Sequence, residues 1–173
     1  MSLIPNAQEI NITYSTTTIV NSFGSWENIA TPGVIQGINA SPGTTIASFT
    51  GQTAGGGSPA ILLVAGNTFV LPLSGVYRFC FSLQLTQGAG NQSVKCWLAS
   101  GGIPIPDTAS LQYIQANTQS VIQIEILYTA IALQTVQLVL QSSGVNSGIL
   151  TVASTISAPQ SPAIIMNIQY LGT

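Results

Sequence analysis

Charge is what this sequence lacks most. Arg78, Lys95, Glu9, Glu27, Asp107 and Glu125 are its only charged side chains, 3% of 173 residues, against about 25% in an ordinary soluble domain. Two basic residues cannot neutralise a run of phosphates, so nucleic acid is excluded as a direct partner. Histidine is absent altogether, which removes Ser-His-Asp and Cys-His nucleophilic constellations and leaves zinc without imidazole ligands. The four acids fall in separate segments, not as the close pair that two-carboxylate hydrolysis needs. No Asp-rich loop offers a calcium cage. The glycines Gly55 to Gly57 are not followed by the Lys-Ser/Thr of a phosphate cradle. The expectation is a chain that is not an enzyme, with no catalytic residue, no cofactor and no metal.

Long apolar runs are missing as well. Ile61 to Ala65 falls far short of the roughly 20 residues that a spanning helix needs. Met1 to Ile12 shows no basic region followed by an apolar stretch of the secretory kind. These features predict a soluble chain with no membrane segment and no signal peptide. Cysteine is scarce, with Cys80 and Cys96 allowing at most one bridge. A hairpin of 75–85 with 93–99, its inward faces Phe79, Phe81, Leu83, Leu85 and Val94, Cys96, Leu98, would pair 81 with 96 and 83 with 94. Cys80 and Cys96 then leave on opposite faces, a geometry that no disulfide closes, and both thiols stay free.

What the sequence does hold is apolar content of 46%, enough for a core without disulfide or metal staples, and many Ser, Thr, Asn and Gln residues. Helical periodicity is not found, whereas alternation recurs. Ile122, Ile124, Ile126 and Tyr128 oppose Gln123 and Glu125; Val136, Leu138 and Leu140 oppose Thr135, Gln137 and Gln141; Ile164, Met166, Ile168 and Tyr170 oppose Asn167 and Gln169. Each reads as a half-buried antiparallel strand. Turn signals at 88–91, 101–102, 142–144 and 158–162 separate them.

Earlier strands are expected near 12–20, 26–30, 45–49 and 60–64, with a Gly-rich loop at 55–57. The pattern predicts an all-β, two-sheet antiparallel jelly-roll sandwich of about nine to eleven strands. It spans 12–173 as a single domain, with 1–11 as an N-terminal arm or lead-in. Trp26 and Trp97 read as core or interface anchors, and Arg78 and Lys95 as residues on the solvated side of the hairpin.

The run Asn67-Thr-Phe-Val-Leu-Pro-Leu-Ser-Gly-Val-Tyr-Arg-Phe-Cys-Phe resembles the mid-domain signature of C1q/TNF-like jelly rolls. It continues as Val94-Lys95-Cys96-Trp97-Leu98 and Gly101-Gly102-Ile103-Pro104-Ile105-Pro106, similar to virion-associated versions of the fold from large DNA viruses and phages, with Gly101 where that pattern often has Asn. Ser161 to Ile168 is similar to their closing strand. The structural signature is Phe69, Gly75, Tyr77, Phe79, Phe81 and Trp97.

The resemblance implies a homotrimer that forms or decorates a capsid or fibre head. Its partners would be further copies of itself and other capsid proteins, and its location the virion. The alternative it leaves open is a receptor- or glycan-binding head that uses loops 55–58, 86–92 and 101–108 at the tip. Low charge removes repulsion between copies and favours association on its own account.

Overall fold

The computed structural model describes residues 22–29, 31–155 and 160–173. The arm at 1–11, the strand expected near 12–20 and Glu9 therefore lie outside the described residues. The chain builds β1 (Phe23–Asn28), β2 (Ile35–Gly37), β3 (Thr45–Ile46), β4 (Gly51–Gly56), β5 (Leu62–Val64), β6 (Thr68–Leu71) and β7 (Gly75–Gln87). It continues with β8 (Gln92–Ser100), β9 (Ile103–Pro104), β10 (Ser110–Ile114), β11 (Gln119–Ala130), β12 (Gln134–Ser142), β13 (Ser147–Leu150) and β14 (Ile164–Gly172). No helix occurs among the described residues. Of these fourteen strands β2, β3, β5 and β9 are two or three residues long, which leaves ten of four residues or more.

Two antiparallel sheets face each other, as the alternation requires. In the first, the long β7 carries β11 along one edge from Gly75 to Thr86. The opposite edge is taken by β14 and then β13, with β1 and β4 beyond β14 and β2 beyond β13. In the second, β10, β8, β12, β6 and β5 lie side by side, with β3 on β12 and β9 on β8.

The inner faces are those that period two marks out. Phe79, Phe81, Leu83, Ile126, Ile164, Met166 and Ile168 come from the first sheet, and Val94, Cys96, Leu98, Val136, Leu138 and Leu140 from the second; all are buried. Ile124 is only half-buried and packs against the edge of this core together with Tyr128 and Tyr170, because β11 has no described neighbour beyond it.

One expected pairing is overturned. β7 and β8 do not form a hairpin: both edges of β7 are already occupied in the first sheet, and β8 pairs β10, β9 and β12 in the second. Their inward faces meet across the core instead of lying side by side. The pairing of 81 with 96 is therefore wrong, although the conclusion drawn from it stands. Cys96 is buried in the core, Cys80 lies on the outer face of the other sheet, and both are free thiols.

A second correction concerns Gly55 and Gly56, which belong to strand β4 and pair with Gly24 and Phe23. A Cβ on Gly56 would come within 2.8 Å of the exposed Phe23 ring, so a larger residue there would displace that ring. The first half also holds β2, and the second half β10 and β13, where no strand was expected.

β8 is nine residues long, so its two ends lie about 26 Å apart. At one end, joined by backbone hydrogen bonds, are the segments at 39–41, 88, 117 and 142–146. At the other, Ala132 donates to Ser74 and Gln134 to Ser100.

Candidate functional site

Except for Trp97, the signature residues lie buried in the sandwich. Phe69, fully buried on β6, meets Trp26 of the first sheet edge-on at 4.8 Å and Phe49 at 5.1 Å. This aromatic contact spans the two sheets. Trp26 is fully buried with its Nε1 unpartnered, and its ring lies over Gly24, where a Cβ would come within 2.1 Å of it.

Tyr77 is buried, yet its hydroxyl donates to the Leu73 carbonyl and accepts from the Leu73 N–H, both at 3.0 Å. Burial pushes its pKa up, the Leu73 hydrogen bond opposes this, and the neighbouring Tyr170 adds to the rise. The Tyr170 ring stands 5.1 Å from that of Tyr77 and its hydroxyl donates to the Ser74 carbonyl. Gly75 sits where these converge. Its φ is +140°, and a Cβ there would lie 2.4 Å from the Gly172 carbonyl oxygen. Phe79 and Phe81 fill the core beside them.

Trp97 stands apart from the other signature residues. It is only half-buried, on the outer face of the second sheet opposite Val139. The Lys95 ammonium lies 5.8 Å from its ring centroid, a cation–π contact that occupies the ring. Arg78 and Lys95, expected on one side of one hairpin, are thus on the outer faces of opposite sheets.

The outer face of the first sheet carries the remaining polar chemistry. Cys80 on β7 has Glu125 of β11 and Asn167 of β14 as its direct cross-strand neighbours. Arg78 Nη2 donates to Glu125 Oε2 at 2.7 Å, and the Cys80 thiol lies 3.7 Å from the same oxygen. The Arg78 hydrogen bond holds the Glu125 carboxyl below its ordinary range and in return raises the Arg78 pKa.

Burial raises the Cys80 pKa, and the neighbouring Arg78 opposes that rise. Two shallow depressions, of about 410 and 320 Å³, meet at Cys80 and Asn167. The one ion pair on this face among the described residues is thus closed within the chain. Glu27 is on β1 and Asp107 follows β9, so neither joins Glu125. Among the described residues no three His, Cys, Asp or Glu side chains gather as metal ligands would.

The three loops expected at a common tip do not converge. Loop 86–92 leads into the start of β8 and turn 101–102 follows its end, while Gly56 sits beside Phe23, opposite Gln169 and Arg78, toward the Gly75 end of β7. Loop 86–92 instead adjoins a hollow of about 560 Å³ lined by Asn91, Gln92, Ser93, Tyr113, Gln115 and Ser143 with Ile114. Tyr113 and Gln115 went unnoticed in the sequence. The alternation of Leu111 and Tyr113 with Gln112 within Ser110–Ile114 was a signal for Tyr113, and none marked Gln115.

No family model matches the chain, and no curated protein does. Among solved structures, it is similar to the globular domain of zebrafish complement 1qA at 10% identity and a TM-score of 0.58, covering 88% of this chain and 98% of that one. It is also similar to murine APRIL at 8% identity and a TM-score of 0.55, covering 87% of this chain and 99% of that one. The fold is a C1q/TNF-like jelly roll. With about a tenth of the residues identical, what the chains share is architecture.

Proposed function

We propose that the chain is a non-enzymatic structural protein of a virus particle, a homotrimeric jelly roll that forms or decorates a capsid or fibre head through neutral contacts. The observation that carries the assembly reading is the outer face of the first sheet. Val121 and Leu127 of β11 are 62% and 63% exposed, and Phe23 and Leu171 are about half exposed. The ion pair on this face is closed within the chain by Arg78 and Glu125. A lone protomer leaves that apolar surface wet, at about 25 cal/mol for each Å². Closed cyclic packing removes it from water without open-ended aggregation. The particle reading is supported by the resemblance at residues 67–81 and 94–106 and by the scarcity of charge.

Light scattering at low and high ionic strength tests the assembly. A trimer is expected under both conditions, because neutral contacts depend little on salt. The double variant Val121→Asp with Leu127→Asp should be monomeric, and Leu111→Asp, on the other sheet, should remain trimeric. A wild-type monomer in both salts refutes the trimer, and dissociation by salt refutes its neutral mechanism. An antibody against the chain should label purified particles from the source; unlabelled particles refute the virion role.

A further inference from the structure

The hollow beside loop 86–92 has the composition of a binding site for a neutral polyol. No charged side chain lines it, and its volume of about 560 Å³ lies within the roughly 300–1,000 Å³ range of ligand pockets. Its wall is held by a polar framework. Ser142 and Ser147 donate to Gln92 Oε1 at 3.0 and 2.9 Å, and the Gln92 amide in turn donates to the Val145 carbonyl. The Ser93 N–H donates to Ser143 Oγ at 2.9 Å, and the Ala116 N–H to Asn91 Oδ1 at 3.0 Å.

These bonds leave the Asn91 Nδ2, the Ser93 and Tyr113 hydroxyls and the Gln115 amide without a hydrogen-bonding partner among the described residues. Together they offer donors and acceptors of no net charge. Tyr113 is 75% exposed, the most exposed of the large apolar and aromatic side chains among the described residues, and nothing in the described chain covers its ring. Trp97 presents no such open face, because Lys95 stands over it.

We propose that this hollow binds a neutral oligosaccharide, with the apolar C–H face of a pyranose against the Tyr113 ring and its hydroxyls met by Asn91, Ser93 and Gln115. A sugar is amphipathic in this same way, with one apolar face and a rim of hydroxyls, and a pocket without charge selects against phosphate, carboxylate and ammonium ligands. The site goes beyond the assembly role and stands or falls separately from it.

The full chain is applied to a printed array of neutral and acidic oligosaccharides, and the strongest neutral ligand is titrated in solution at two salt concentrations. Binding of a neutral sugar with salt-independent affinity is expected. Tyr113→Ala should weaken it about tenfold or more, and Tyr113→Phe, which keeps the stacking face, should stay within about threefold of wild type. Tyr113 contributes little to the core, so circular dichroism should be unchanged. If Tyr113→Ala nevertheless unfolds, Gln115→Ala decides by the same tenfold criterion. Binding to acidic sugars alone, no binding to any sugar, or affinity unchanged in the deciding variant overturns the proposal.

Discussion

Gly75→Ala tests the contact on which the Tyr77–Tyr170 corner depends. Two costs add at this position. The φ of +140° is a conformation that L side chains rarely adopt, worth about 1–3 kcal/mol. The new methyl would also sit 2.4 Å from the Gly172 carbonyl oxygen and 2.8 Å from the Tyr170 ring. The oxygen is backbone, on a strand paired to β7 through this corner, so it cannot rotate away, and overpacking of this kind costs a further 1–3 kcal/mol or so. The sum is about 2–6 kcal/mol.

Gly101→Ala separates the two costs. Gly101 also has positive φ, at +56°, but a Cβ there meets nothing within 4 Å, so only backbone strain of about 1 kcal/mol is expected. Urea unfolding measured at one protomer concentration, so that assembly contributes equally, should show Gly75→Ala losing at least about 1 kcal/mol more than Gly101→Ala. Equal losses with unchanged m-values would refute the claim that β14 and β7 approach too closely for any side chain.

Phe81→Ala removes a ring that is 3% exposed, between Ile124 and Met166 on the flanking strands. It should cost about 3–5 kcal/mol in the same assay, and a loss under about 1 kcal/mol would show that the inner face is misassigned. Thiol titration of unfolded, unreduced protein should find both cysteines free, and finding none would refute the opposite-sheet placement. In the folded protein Cys96, whose pKa burial pushes up to about 12 from 9.0, should resist labelling longer than the more accessible Cys80. The native chain keeps the Cys96 proton that the unfolded chain releases, so this thiol's share of stability is present below about pH 9 and lost as pH rises toward about 12. Unfolding curves of wild type and Cys96→Ala across that range measure the difference, and equal slopes would count against it.

The sequence by itself determined which side chains share a face. Period two along residues 79–85, 122–128, 136–140 and 164–170 named the core because successive side chains of a strand point to opposite sides, whatever its neighbours are. Gly75 and Tyr77 were legible only through their resemblance to the C1q/TNF-like signature. The Tyr77 hydroxyl bonds locally, back to residue 73, whereas Gly75 is needed for contacts with Tyr170 and Gly172, far along the chain.

Only the tertiary structure decided which strands are neighbours. Ladder hydrogen bonds join backbone to backbone and carry no record of side-chain identity, so the short link at 88–91 serves equally well to close a hairpin or to cross from one sheet to the other. That choice put Arg78 beside Glu125 and Lys95 over Trp97 on opposite outer faces. It brought Tyr113 and Gln115 to the hollow that Asn91 and Ser143 share. Faces follow from the half-turn between successive residues of an extended chain, whereas sites follow from contacts between residues far apart in it, which form only once the two sheets have closed on their common core.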